Sequence, residues 1–277
     1  LGAKKAGFQL AIQVRHEFDD GEVDEGAEPD AVIGNLADLI PLLETSMREH
    51  HHNGSQNDRG PIKAVFFDAG DILYYRPQRD KYLKEFLSRH TVNPVPGFEA
   101  ERKRIKDLAF SGQMKRHDYY RELIHLYGIT DAQAIEEGME AISRDDDTVA
   151  IFDGVPETIH ALKARGFILG IITDTAMPIT RKLNWFEEHG FGRVWDVVIS
   201  SKEMGVRKPA PSMYEEAIMQ TGIRPQEAVF VGHKTHELEG ARAVGFKTIA
   251  FNYDPDAPAD FYIENFCDLL KVPLLVN

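Results

Sequence analysis

From residue 62 onward, short apolar runs alternate with amphipathic stretches of about ten residues, the pattern of a parallel sheet covered by helices on both faces. Residues 62–67 (Ile-Lys-Ala-Val-Phe-Phe) form an apolar run between Pro61 and Gly70, which predicts a strand buried on both sides. From 155 the rhythm predicts helix 156–165, strand 167–173, helix 179–189 and strand 194–200. Helix 212–221, strand 229–232, helix 237–244 and strand 247–251 follow. Between the first two strands, residues 79–147 are helical in rhythm, with breaks near 93–97, 112 and 128. At roughly eighty residues, this insertion is too long for a simple crossover. The expected fold class is α/β, a parallel sheet with an inserted α-helical block.

The first sixty residues follow a different logic. Gly2-Ala3-Lys4-Lys5-Ala6-Gly7-Phe8 reads like Gly240-Ala241-Arg242-Ala243-Val244-Gly245-Phe246, and residues 30–39 parallel residues 260–269. Each copy reads as a helix end, a short strand, a loop and an amphipathic helix. We therefore expect 1–47 to be the C-terminal remnant of a preceding similar domain, and the chain to be a fragment of a longer tandem protein. Residues 48–60 are polar and aperiodic, a linker. Its three adjacent histidines, His50 to His52, lack a Cys or acid pair at ligand spacing and read as solvated. The remaining 61–277 would be one domain, with a core at 61–75 and 153–277 and the helical insertion at about 76–152. Expected partners are an upstream copy of the same domain or a second copy of this chain.

Composition narrows the function classes. The 277 residues are 43% hydrophobic and 28% charged, ordinary for a globular protein, and carry a formal net charge of -13. Such a surface repels nucleic acid and anionic membranes. A small anion is still admissible, because clustered backbone N–H groups and one lysine override the global sign locally. Apolar runs such as 167–173 are too short to cross a bilayer, and no secretory signal is indicated. The single cysteine, Cys267, fits a reducing compartment and reads as a small apolar residue on a packed helix. A cytoplasmic metabolic role is expected.

Ligands of open parallel sheets sit beyond the carboxyl ends of the strands, and four such places carry suggestive residues. They are Asp68 after Phe66-Phe67, Thr173-Asp174 after Ile171-Ile172, Lys208 in Arg207-Lys208-Pro209, and His233 after Val229–Gly232, with Glu237 a turn further on. Each alone has a plainer reading. Asp68 suits a turn, Thr173 a helix cap, Lys208 a solvated surface and His233 a hydrogen-bonded structural role. Together, in this order at strand ends, they point to covalent chemistry on an exposed carboxylate.

In these segments, and in Phe152-Asp153-Gly154-Val155-Pro156-Glu157 and Ser200-Ser201-Lys202-Glu203-Met204-Gly205, the chain resembles the haloacid dehalogenase-like hydrolase superfamily over about 61–270. The resemblance implies a three-layer Rossmann-like fold whose helical insertion caps the site. It implies Asp68 as nucleophile, Thr173 as a hydrogen-bond donor to the transferred phosphoryl group, and Lys208 as the group that neutralises developing charge. Gly70 and Asp174 would line the substrate, and Asp68, Gly70, His233 and Glu237 would hold Mg²⁺, with Mn²⁺ or another divalent ion as the alternative. In the insertion, Lys115, Arg116, His117 and Arg121 either meet an anionic substrate or form a solvated basic face.

Three positions depart from the family's phosphatase pattern. Gly70 stands where a second Asp protonates the leaving oxygen, and its loss is expected to cost about 10²–10⁴ in rate. Asp71 is adjacent, but successive side chains in extended backbone face opposite ways. His233 and Glu237 replace two aspartates. The expected activity is a metal-dependent phosphatase of a small phosphorylated metabolite, of reduced activity. The alternatives are a catalytically degenerate binding or regulatory module and a 2-haloacid dehalogenase.

Overall fold

The structure is a computed structural model that describes residues 61–276 and two short strands before them, β1 (Ile12–Val14) and β2 (Ala31–Ile33). The chain divides into two units, Leu1–Asp58 and Arg59–Asn277. In the first, β1 and β2 pair in parallel, Ile12 opposite Ala31. The rest of the segment read as a remnant and linker lies outside the described residues.

The second unit is built on a six-stranded parallel sheet. In chain order its strands are β3 (Ala64–Phe67), β6 (Ile168–Thr173), β7 (Val197–Ser200), β8 (Ala228–Gly232), β9 (Lys247–Phe251) and β10 (Phe261–Ile263). In space they run β10-β9-β8-β3-β6-β7. The chain leaves β3 toward β6 and β7, then returns to the other side of β3 with β8. The strand order therefore reverses beside β3, which opens a crevice at its carboxyl end.

Alternation along the strands splits the core into two layers. Val65, Phe67, Leu169, Ile171, Val229 and Val231 pack on one face with Val155, Ile159 and Phe186. Ala64, Phe66, Ile172 and Phe230 pack on the other with Met213, Tyr214 and Leu238. Gly170 is needed for this fit, since a Cβ there would lie 2.4 Å from the Phe66 ring.

Between β3 and β6 a short antiparallel ladder, β4 (Tyr74–Tyr75) with β5 (Ala150–Ile151), carries the chain out and back. It encloses four helices: α1 (Lys81–Leu87), α2 (Phe98–Phe110), α3 (Arg116–Leu126) and α4 (Ala132–Asp147). Their apolar faces, including Phe86, Ile105, Ile124 and Met139, form a core of their own. The remaining helices are α5 (Val155–Ala164), α6 (Ile179–Glu188), α7 (Ser201–Met204), α8 (Pro211–Thr221) and α9 (Thr235–Val244). Among the described residues, no helix is long and apolar enough to cross a membrane.

Two expectations need correction. Residues 260–269 hold the strand β10 and a 3-10 turn (Phe266–Lys271) in place of one amphipathic helix. Phe261 and Ile263 pair in register with Ile249 and Phe251 of β9 and face the core while Tyr262 points out, a period of two. Cys267 is exposed, because that turn directs Phe266 and Leu269 inward instead.

Candidate active site

Strand register brings the expected residues together. Phe67 lies opposite both Ile171 and Val231, so Asp68, Thr173 and His233 end three adjacent strands. Asp68 remains in the sheet ladder, its N–H donating to the Val231 carbonyl at 2.9 Å. Its side chain is buried, at 5% exposure, with Oδ1 accepting from the Ala69 N–H at 2.8 Å. Lys208 Nζ pairs with the same Oδ1 at 2.8 Å and donates to Glu237 Oε2 at 3.0 Å. Lys234 Nζ meets the other oxygen of Glu237 at 3.2 Å. His233 Nε2 stands 3.6 Å from Asp68 Oδ2.

Lys208 is placed from two sides. Asp174 Oδ1 accepts from the Lys208 backbone N–H at 3.1 Å, and its Oδ2 accepts from Arg207 Nε at 3.2 Å. The Asp174 carboxylate thus serves the loop that carries Lys208. On the other side α9 crosses Pro209 at Gly240, where a Cβ would lie 2.8 Å from Pro209 Cβ. That close approach lets Glu237, one turn earlier on α9, reach the lysine. Arg207 also pairs with Asp107 of α2 and lies over the Phe110 ring, at 5.2 Å, tying the helical block down beside the site.

The electrostatics follow from this packing. Burial alone would lower the Lys208 ammonium, but Asp68 and Glu237 hold it above its ordinary value, so it stays charged. Burial alone would raise Glu237, but Lys208 and Lys234 outweigh it and hold the carboxyl at about 2. Burial lowers His233 below its ordinary value, against the opposing pull of Asp68, which favours neutral imidazole with a free lone pair. A carboxyl depressed on folding stabilises the protein above its unfolded value, about 4.3, and loses that contribution as the pH falls toward 2. For Glu237 this is on the order of 3 kcal/mol. Glu237→Gln is therefore expected to lower the Tm at neutral pH and to flatten its fall between about pH 4.5 and 2. An acid limb as steep as that of the unmodified protein would assign the loss to other carboxylates.

Asp71 turns away for a reason that extended backbone did not anticipate. Its φ is 60°, and its carboxylate pairs with Arg79, with contacts of 2.8 and 3.0 Å. Gly70 has no side chain to offer. A Cβ there would have Tyr74 Oη as its nearest neighbour, at 3.8 Å. Of the basic residues on α3, Arg116 bonds the Tyr120 hydroxyl, while His117 and Arg121 lie near Asp118. Lys115 is exposed just before that helix.

Residues 80–251 match the family of haloacid dehalogenase-like hydrolases. The chain belongs to that family. The match begins downstream of Asp68. A glyceraldehyde 3-phosphate phosphatase of Pyrococcus furiosus is 34% identical over 134 residues, 45% of this chain and about half (52%) of that protein's length. A pyrophosphatase PpaX of Bacillus cereus is 29% identical over 226 residues, 76% of this chain and 96% of the relative. A 2-haloacid dehalogenase from Pseudomonas syringae superposes with a TM-score of 0.57 at 24% identity, over 76% of this chain and 97% of its own. A haloacid dehalogenase-superfamily hydrolase from Geobacter sulfurreducens gives 0.54 at 19% identity, over 78% and 99%. The two structures share the three-layer parallel fold.

Phosphatases of this family generally work with a divalent metal. Asp68, His233 and Glu237 each offer a donor atom, all within 4.8 Å of one another, which fits one ion. Gly70 can add only its backbone carbonyl. An imidazole among the donors suits Mn²⁺, Fe²⁺ or Zn²⁺ better than Mg²⁺, which prefers oxygen throughout.

The sequence reading missed Lys182, Lys234, Tyr74 and Arg207 at this site. Lys182 left a trace. It falls on the apolar stripe 179–182–183–186 of α6, where helical spacing puts residues toward the core.

Proposed function

We propose that the chain is a phosphohydrolase acting on a small phosphorylated metabolite through an aspartyl-phosphate on Asp68. The observation that carries this reading is the buried carboxylate of Asp68 clamped to Lys208, with Thr173 ending the adjacent strand, at the strand-order reversal of a haloacid dehalogenase-like fold. The phosphatase names of the Pyrococcus and Bacillus relatives support it.

Asp68 attacks phosphorus as the bond to the leaving oxygen breaks, forming the acyl phosphate. Lys208 and the Thr173 hydroxyl offset the charge on the equatorial oxygens. Water then attacks the same phosphorus, releasing phosphate and restoring the carboxylate. The helical block excludes bulk water and selects the substrate. Asp68, His233, Glu237 and the Gly70 carbonyl would hold a divalent ion, which would supply further positive charge toward the phosphoryl group. Because residue 70 carries no acid, the substrates that suit the site best have leaving groups that depart without protonation, acyl phosphates and phosphoanhydrides, with sugar 1-phosphates losing less than alkyl phosphates.

The test is a panel of these compounds beside alkyl phosphates, assayed for phosphate release with Mg²⁺ and with Mn²⁺. Release is expected fastest from the acyl and anhydride members, and faster with Mn²⁺ than with Mg²⁺. His233→Asp is expected to move the preference toward Mg²⁺, read from metal titrations of the rate. Folded protein that turns over nothing with either metal is a binding module instead. Chloride release from 2-chloropropionate, with no phosphate release, makes it a dehalogenase.

A further inference from the structure

We propose that Lys182 is a second phosphoryl-binding cation of this site, acting beside Lys208; the proposal rests on the phosphohydrolase reading above. Lys182 is 5% exposed, yet among the described residues it has no carboxylate within 4 Å. Its one hydrogen bond runs from Nζ to Thr173 Oγ1, at 3.2 Å. The Tyr74 ring lies 5.7 Å from Nζ to the centroid.

An ammonium group has three donors, and here one is spent on a neutral acceptor. Burying such a group without a counter-charge costs several kcal/mol. An apolar residue at 182 would avoid that cost, since the position lies on the core-facing stripe of α6 and its neighbour Phe186 is fully buried. A lysine here is accounted for by an anion that arrives with the ligand.

The surroundings identify that anion. Lys182 lines a cavity of about 50 Å³ with Tyr74, Trp185 and two acids, Asp146 and Asp147, that are already paired with Arg76, Arg116 and Arg181, while its Nζ donates to the hydroxyl at the end of β6. Tyr74 Oη in turn is the nearest atom to the open space at Gly70. The lysine is thereby joined to the site through the Thr173 hydroxyl, the group read above as facing the phosphoryl oxygens. Lys208 is shared between two carboxylates, and Arg207 between Asp174 and Asp107. Of these three, Lys182 alone has no carboxylate within 4 Å among the described residues. By donating to Thr173 Oγ1 it also turns the threonine's own proton away from itself, free to reach a phosphoryl oxygen.

The experiment is calorimetric titration of the full chain with inorganic phosphate, for the unmodified protein, Lys182→Met and Lys182→Arg, with thermal melts of each. Met matches the lysine stem in size and removes only the charge, so Lys182→Met is expected to melt no lower than the unmodified protein. Its phosphate affinity is expected to fall about 10- to 100-fold, the range for a lost charged hydrogen bond. Lys182→Arg is expected to keep most of it. Phosphate bound by Lys182→Met as tightly as by the unmodified protein overturns the proposal, as does an unmodified protein that binds no phosphate. Because the readout is binding, a protein that takes up phosphate through Lys182 but turns over no ester would overturn the hydrolase reading alone.

Discussion

Asp68→Asn is expected to abolish phosphate release, by about 10⁴- to 10⁶-fold, the scale on which removing a covalent nucleophile acts. The amide has the shape of the carboxylate but is no nucleophile toward phosphorus. The change should leave the fold intact, because Lys208 keeps its 3.0 Å bond to Glu237 and the Ala69 N–H still finds the amide oxygen. Two measurements separate chemistry from collapse. The thermal midpoint should stay within a few degrees of the unmodified protein, since only one charge of a buried cluster is lost and the remaining pair is still matched. Acid-quenched enzyme incubated with labelled substrate should carry covalent phosphate when residue 68 is Asp and none when it is Asn. A variant that retains a tenth of the rate would remove Asp68 from the nucleophile's role.

Gly70→Asp is expected to raise turnover of alkyl phosphates by about 10²- to 10⁴-fold, the usual contribution of a positioned general acid. The space is there. Gly70 does not use a left-handed conformation, and its added Cβ meets only the Tyr74 hydroxyl at an ordinary contact distance of 3.8 Å. The new carboxylate can accept a hydrogen bond from that hydroxyl, so its desolvation is compensated. Acyl phosphates should gain little, because their leaving groups depart without a proton. The diagnostic is therefore the ratio of the two substrate classes, a quantity that a general change in stability does not move. An equal gain on both classes, or none on either, would mean that residue 70 is not the missing acid.

Much of the framework was legible along the chain, for reasons that are local. Strand Ala64–Phe67 declared itself as a run bounded by Pro61 and Gly70, and the breaks near 93–97, 112 and 128 fall between the helices Lys81–Leu87, Phe98–Phe110, Arg116–Leu126 and Ala132–Asp147. The residues 260–269 misled because their apolar positions, 261–263, 266, 267 and 269, satisfy both a helical and an alternating pattern. Only pairing with Lys247–Phe251 chooses between them. Asp71 was set aside as extended, whereas a left-handed backbone and Arg79 draw its carboxylate away.

The sequence by itself determined the strand-and-helix order, the family, and the chemical identity of Asp68, Thr173, Lys208, His233 and Glu237, because periodicity and motif spacing are properties of neighbouring residues. Tertiary structure alone decided their partners. Asp174 became the brace of the Lys208 loop, and Gly240 let one helix approach close enough for Glu237 to share that lysine. It alone put Lys182 against Thr173 with no carboxylate within 4 Å among the described residues. Which charges are matched depends on distances of about 3 Å between segments far apart in the chain, and on the water excluded around them. Neither quantity is written in the order of residues.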